Sequence, residues 1–269
     1  MWCENGLEVS KTVTLDRAGK EDAEKLSQIS RRAFHSDVDV GAPSEEGGPP
    51  GYDSPEFQTN LMRWCDYHTI LYNSQIVGGL IVARKGSGHY ECARIFVDPE
   101  YHNRGIATRA FELAFQMYPD AKMWTLGTPE WNVRTKHFYE KLGFVQVGWT
   151  KEEPQWRGRF YEKLMGPNQP HVRTRISELT PGMKQVQIEA KVLGISEPRE
   201  VHSRTGEPLK VAEATVHDGA GSIKLALWND QIRQVKVNDK IRIYNGYVTS
   251  FRGQKQLNAG RYDPPVILS

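Results

Sequence analysis

Gly166-Pro167-Asn168-Gln169-Pro170 limits the folds open to this chain of 269 residues more than any other stretch. With two prolines, one glycine and no apolar side chain, it gives neither a helix nor a sheet a backbone to run through. The apolar pattern also changes across it. Before it, helical and strand periodicities alternate; after it, short strands and turns follow one another with almost no helix. The expected organisation is an α/β domain over residues 1–165, a linker over 166–174 and an all-β domain over 175–269.

Within the first part, Val13–Leu15 reads as an edge strand and Lys20–Phe34 as a helix with Ala23, Leu26, Ile29 and Ala33 on one face. Residues 35–55 read as a loop, because Gly41, Pro43, Gly47-Gly48-Pro49-Pro50-Gly51 and Pro55 interrupt any regular backbone. A short helix over Glu56–Trp64 precedes strands at Thr69–Tyr72 and Ile76–Arg84, joined by an Asn73-Ser74 turn. A further strand ends at Val97. A helix then opens at Gly105, with Ile106, Ala110, Leu113, Ala114 and Met117 on one side. A strand at Met123–Leu126, a helix over Val133–Leu142 and a hairpin of Val145–Gly148 with Arg159–Lys163 complete a mixed sheet.

The passage from Val97 to Ala107 is a strand, a glycine-containing turn and a helix start. The first N–H groups of a helix have no partner within it and carry partial positive charge, which suits a phosphate or pyrophosphate. Gly105 and Ala107 keep that helix start bare. Val97-Asp98-Pro99 followed by His102-Asn103-Arg104-Gly105-Ile106-Ala107 is similar to the R/Q-x-x-G-x-G/A acetyl-CoA motif of the GNAT acetyltransferases. His102 stands where that motif has Arg or Gln. Asn132-Val133-Arg134-Thr135-Lys136-His137-Phe138-Tyr139-Glu140-Lys141-Leu142-Gly143-Phe144 resembles the same family's late motif. The resemblance covers residues 10–165 and implies a GNAT-like acyl-CoA N-acyltransferase fold with acetyl-CoA as cofactor.

The resemblance also implies roles. The main chain of Ile95, Phe96 and Val97 would pair with the pantetheine arm as an added strand. His102, Asn103, Arg104, Gly105, Ile106 and Ala107 would hold the pyrophosphate, and Asn132 would orient polar groups of cofactor or substrate. Tyr139 would donate a proton to the departing thiolate, a task suited to a phenol with pKa near 10. Glu91, six residues before Val97, stands where many relatives carry a carboxylate that takes the amine's proton through water. Read without the family, Glu91 is a surface strand residue, Tyr139 a packed helix aromatic and Cys92 a buried thiol. The acidic loop of Asp37, Asp39, Glu45, Glu46, Tyr52 and Asp53 favours a cationic amine acceptor such as a protein amine or polyamine, and is equally a solvated loop.

Past the linker, Gln185–Ile195, Leu209–His217, Ser222–Trp228, Lys240–Val248 and Gln254–Asn258 read as strands, with Asp218-Gly219-Ala220-Gly221 as a hairpin turn. Five short strands in this length suggest a closed OB-fold barrel. Leu179–Met183, Val211–Trp228 and Ile243–Asn258 resemble archaeal single-stranded-DNA-binding OB-fold proteins. That resemblance implies base stacking on Trp228, Tyr247 and Phe251, with Tyr247 replacing a common Trp, and binding of single-stranded DNA or RNA. Lys224, Arg252 and Lys255 would meet phosphates. Strand alternation puts Ile223, Leu225 and Leu227 on one face, and Lys224 and Trp228 on the other.

Residues 170–269 carry 15 Lys and Arg against 10 Asp and Glu, whereas residues 1–169 carry 20 against 23. The basic surplus therefore lies in the second part, and it is modest. Cys3, Cys65 and Cys92 suggest neither a disulfide framework nor a metal site. No apolar run reaches the ~20 residues that span a bilayer, and the N-terminal residues lack the pattern of a signal peptide. The expectation is a cytoplasmic N-acetyltransferase with no membrane partner and a barrel for single-stranded nucleic acid. Two alternatives stay open: a nucleic-acid binder with a degenerate or CoA-sensing first domain, and a small-molecule acetyltransferase whose barrel binds protein.

Overall fold

The computed structural model describes residues 12–151, 157–166, 174–203, 205–251, 253–260 and 263–269. Cys3, Arg252 and most of the expected linker lie outside these residues. The described chain forms two compact units. One runs as far as Arg84 and adds Tyr90–Ala121 and Asn132–Arg134; the other holds Lys85–His89, Lys122–Trp131 and the described part of Thr135–Ser269. Among the described residues no helix is long and apolar enough to cross a membrane.

In the first unit, strands β1 (Val13–Arg17), β2 (Asp66–Tyr72), β3 (Gln75–Gly86) and β4 (His89–Val97) lie side by side in that order. The β2–β3 turn places Asn73 and Ser74 at φ of 51° and 65°, a left-handed pair whose twist suits a two-residue hairpin. Helix α1 (Ala23–His35) buries Leu26, Ile29 and Ala33 against Tyr67, Ile81 and Phe96. A 3-10 turn over Ser36–Val40 occupies the start of the expected loop. Helix α2 (Pro55–Trp64) starts with Ser54 Oγ accepting from the Phe57 N–H, and Pro55 sits where no N–H partner is needed. Helix α3 (Ile106–Met117) buries Ile106, Ala110, Phe111 and Ala114. Met117, expected on that face, is exposed, because the helix ends there and Tyr118 turns inward instead.

The second unit contains β5 (Met123–Pro129), α4 (Val133–Lys141), β6 (Val145–Lys151) and β7 (Arg157–Leu164), with α4 beginning in the first unit. It continues through β8 (Val186–Ile195), β9 (Arg199–His202), β10 (Pro208–His217), β11 (Ser222–Trp228), a short α5 (Gln231–Gln234), β12 (Lys240–Phe251), β13 (Gln254–Asn258) and β14 (Val266–Leu268). Strands β8, β10, β11, β13 and β12 pair in succession, and β12 pairs back onto β8, closing a five-stranded barrel. Its core is Val186, Ile188, Val192, Ala214, Val216, Ile223, Leu225, Leu227, Ile241, Ile243, Val248 and Leu257, the inward parity of each strand.

Two strands were not expected: β9, paired with β10, and β14. Strand β14 lies between β6 and β12, with Ile267 opposite Trp149 and Ile241. Gly148 makes this approach feasible, since a side-chain carbon there would collide with the Ile267 carbonyl. Val266 packs with Met123 and Tyr244, beside Phe160 and Leu164. Within the same region Arg242 pairs with Glu162 and, at 3.0 Å, with Glu189, while the Tyr244 hydroxyl donates to Glu162. His89, buried beside Tyr244, hydrogen-bonds Thr125 Oγ1 at 2.8 Å, and burial pushes its pKa down to about 4, so it is neutral near pH 7.

Candidate cofactor cradle and barrel face

Strand β4 delivers Ile95, Phe96 and Val97 to the head of the turn. Gly78 of β3 lets that strand end come close, because a side-chain carbon there would strike the Phe96 carbonyl. Phe96 and Val97 turn their side chains into protein, and the Val97 carbonyl accepts from His102. Asp98 then accepts from Arg32 Nε at 3.2 Å and caps the short 3-10 turn Pro99–Tyr101.

The turn passes through left-handed Asn103 (φ 61°) and Gly105 (φ 73°) into α3. No side chain caps α3, so its first N–H groups face outward without a protein acceptor supplied at the cap. A carbon added to Gly105 would meet nothing within 4 Å, which describes an open approach to these groups. This backbone suits an anionic oxygen. Gly105→Ala is expected to cost ~1–2 kcal/mol of stability through left-handed strain, read by urea denaturation.

The structure accounts for the irregular His102. Its Nε2 donates to the Val97 carbonyl at 2.9 Å, and its Nδ1 faces Arg134 Nη1 at 3.5 Å. A carbonyl only accepts and a guanidinium only donates, so these partners assign the neutral Nε2–H tautomer. His102 therefore ties the turn to the strand rather than reaching for an anion. Arg104 likewise folds back, donating to the Glu100 carbonyl at 3.0 Å with its guanidinium 5.1 Å from the Tyr101 ring centre. Among these residues the cradle is backbone.

Asn132 is buried and donates to Asp37 Oδ1 at 3.2 Å, where Arg134 Nη2 also donates at 2.6 Å. Burial raises the Asp37 pKa, opposed by Arg134 and Asn132. Asp37 is thus a paired anchor, while Asp39, Glu45, Glu46 and Asp53 are exposed. The sequence reading missed Arg134; its place two residues after Asn132, on the first turn of a helix, is the signal it left. Glu91 is half-buried on β4, ~20 Å along the strand from Val97. Its neighbour Cys92 is fully inside, and burial pushes its thiol well above the ordinary range, so it stays protonated.

Tyr139 belongs to the second unit, only 6% exposed, with ring centres of Phe138, Phe144 and Tyr161 at 5.1, 6.0 and 6.0 Å. Thr128 and Thr135 hydroxyls, 2.8 Å apart, tie the end of β5 to the first turn of α4.

On the barrel, Tyr247 and Phe251 are each 40% exposed and Trp228 is half-buried. The expected alternation is observed: Leu225 and Leu227 enter the core, while Lys224 is exposed and donates to Thr215 Oγ1 at 2.8 Å. Lys255 does not join this face; alternation turns it away from Gln254 and Gln256, and its ammonium donates to the Leu179 carbonyl at 3.0 Å. Arg199, on the unforeseen β9, brings its guanidinium to 6.0 Å from the Phe251 ring centre.

Residues 29–144 match the Acetyltransferase (GNAT) family, and residues 179–262 match the single-stranded DNA binding protein Ssb-like OB fold. The chain is 36% identical over 86 residues to the single-stranded DNA binding protein Ssb of Saccharolobus solfataricus, covering 32% of this chain and 57% of that protein, less than two thirds of its length. It is 29% identical over 143 residues to the uncharacterised protein YrkN of Bacillus subtilis, covering 52% of this chain and 77% of that one. The crystal structure of the PaiA N-acetyltransferase of Thermoplasma acidophilum in complex with coenzyme A is similar with a TM-score of 0.47 at 16% identity, covering 57% of this chain and 99% of that one.

Proposed function

We propose, from a GNAT domain and an Ssb-like OB-fold domain in one chain, that this protein moves an acetyl group from acetyl-CoA to a primary amine and binds single-stranded nucleic acid through its barrel. The observation that carries the first half is the uncapped start of α3 behind left-handed Gly105, with His102 and Arg104 both turned back onto protein. That is a cradle whose ligand-facing atoms are N–H groups. The division at residues 166–174 belongs to the same reading.

Bound acetyl-CoA would supply an activated acetyl thioester. The N–H groups of α3 and the turn from Asn103 would hold its pyrophosphate, and the main chain of Ile95–Val97 would align the pantetheine arm. Asn132 would orient polar groups while bound to Asp37. Glu91 would take a proton from the incoming ammonium through water, leaving a neutral amine able to attack the carbonyl. Tyr139 would give its phenolic proton to the sulfur as the carbon–sulfur bond breaks. The exposed acids Asp39, Glu45, Glu46 and Asp53 favour an acceptor that arrives as a cation.

The test is thiol release from acetyl-CoA across a panel of polyamines, N-terminal peptides and basic proteins. Tyr139→Phe keeps the ring packing and removes only the proton donor. It is expected to lower kcat about 100-fold with little change in KM for acetyl-CoA. Thiol release at the buffer rate with every amine would overturn the enzymatic reading.

A further inference from the structure

We infer that Glu213 makes the barrel face prefer bases that present amino hydrogens (cytosine, adenine and guanine) over thymine; this rests on the nucleic-acid reading proposed above. Strand register sets Glu213 of β10 opposite Ala226 of β11, Ala226 beside Asn258 of β13, and Asn258 opposite Tyr247 of β12. Residues in register share a face, so these four form a row across the sheet. Trp228 and Lys224 flank Ala226 along β11 on the same face. Ala226 and Asn258 are buried, and Gln256 reaches over them to Glu213, so the row is a covered floor with the half-buried Glu213 carboxylate at one end and the Tyr247 ring, 40% exposed, at the other. Trp228 lies on the strand next to β10, one spacing of about 5 Å away, so a base stacked on its ring turns an edge toward Glu213.

The Glu213 side chain is held in place. Its main-chain N–H donates to Ser196 Oγ at 3.0 Å, and Gln256 Nε2 donates to Oε1 at 3.3 Å. A carboxylate only accepts and has about four lone-pair sites, so capacity remains after Gln256. The cytosine amino group and the adjacent N–H groups of guanine satisfy such an acceptor. Thymine offers one N–H between two carbonyl oxygens, and those oxygens repel a carboxylate. An anion on a polyanion-binding face also opposes the phosphates. Donor recognition gives that charge a use.

The test is fluorescence anisotropy with labelled dC and dT strands of about 15 nucleotides at one fixed salt concentration. The native chain is expected to bind dC about tenfold more tightly than dT. Glu213→Gln, equal in size, and Glu213→Ala are expected to bring the ratio to about one, chiefly by tightening dT binding once the repulsion is gone. Loss of a merely structural residue would weaken both strands together. Melting curves on the same samples confirm folding. Equal affinities in the native chain, or a ratio unchanged in both folded variants, would overturn the role of Glu213. Failure of the native chain to bind either strand would instead overturn the nucleic-acid reading beneath it.

Discussion

A variant carrying Trp228→Ala, Tyr247→Ala and Phe251→Ala is expected to bind a single strand about 1,000-fold more weakly than the native chain. Each base stacked on an aromatic ring contributes ~1–3 kcal/mol, and neighbouring stacks do not add fully. The three rings are expected to supply most of the sequence-independent affinity, because the cations near them among the described residues are already engaged. Lys224 is partly engaged by Thr215 and Arg199 lies against the Phe251 ring, while Lys255, off this face, donates to the Leu179 carbonyl. The salt dependence of the residual binding should change little, since phosphate contacts set that slope. None of the three rings belongs to the barrel core of Leu225, Leu227, Val248 and Leu257, so the melting transition should survive. Affinity within tenfold of native would mean that the rings pack against protein and serve no ligand.

Glu162→Ala is expected to destabilise the protein by ~3–5 kcal/mol, read as a lower urea midpoint with an unchanged slope. The Glu162 and Arg242 side chains are 4% and 11% exposed. Burial alone pushes the Arg242 guanidinium down; the Tyr244 phenol, Glu162 and Glu189 outweigh it and hold the group charged. Removing Glu162 leaves that charge in a poorly solvated place with Glu189 as its remaining carboxylate, and strips the Tyr244 hydroxyl of its acceptor. Adding Arg242→Met to Glu162→Ala should recover part of the loss, because the uncompensated charge is then gone. A double variant no better than the single one would show that packing around Glu162, not charge, sets the cost.

Most strands and helices were legible because their side chains alternate with the period of the element that holds them. The strands Ser222–Trp228 and Gln254–Asn258 were read to the residue, each with a clear inward set and turn residues at its ends. Strands β9 and β14 were not. Val266–Leu268 is three residues long and follows two prolines, so no period can develop; its partners are Trp149 and Ile241, far away in sequence. The composition of the two compact units was hidden for the same reason, since it depends on pairings that only the folded chain makes. At the cradle, spacing identified His102 and Gly105 as positions but not where the imidazole points. That direction is decided by the Val97 carbonyl and by Arg134, on another element. Alternation along Ser222–Trp228 did set Lys224 and Trp228 apart from the core, but Lys255 was expected at phosphates and only the fold turns it to the Leu179 carbonyl.

The strand Val266–Leu268 imposes a schedule on biosynthesis. Trp149 waits for Ile267, more than a hundred residues further along the chain, and a ribosome needs on the order of ten seconds to make that length. During this interval the outer edge of β6 is a row of unpaired N–H and C=O groups, the kind of surface that recruits foreign strands. Gly148 sits on that edge and offers no side chain to fend them off. Slow codons placed between the two segments would lengthen the exposure and should raise the aggregated fraction of newly made chain. A chaperone that covers strand edges would act most strongly in the same window.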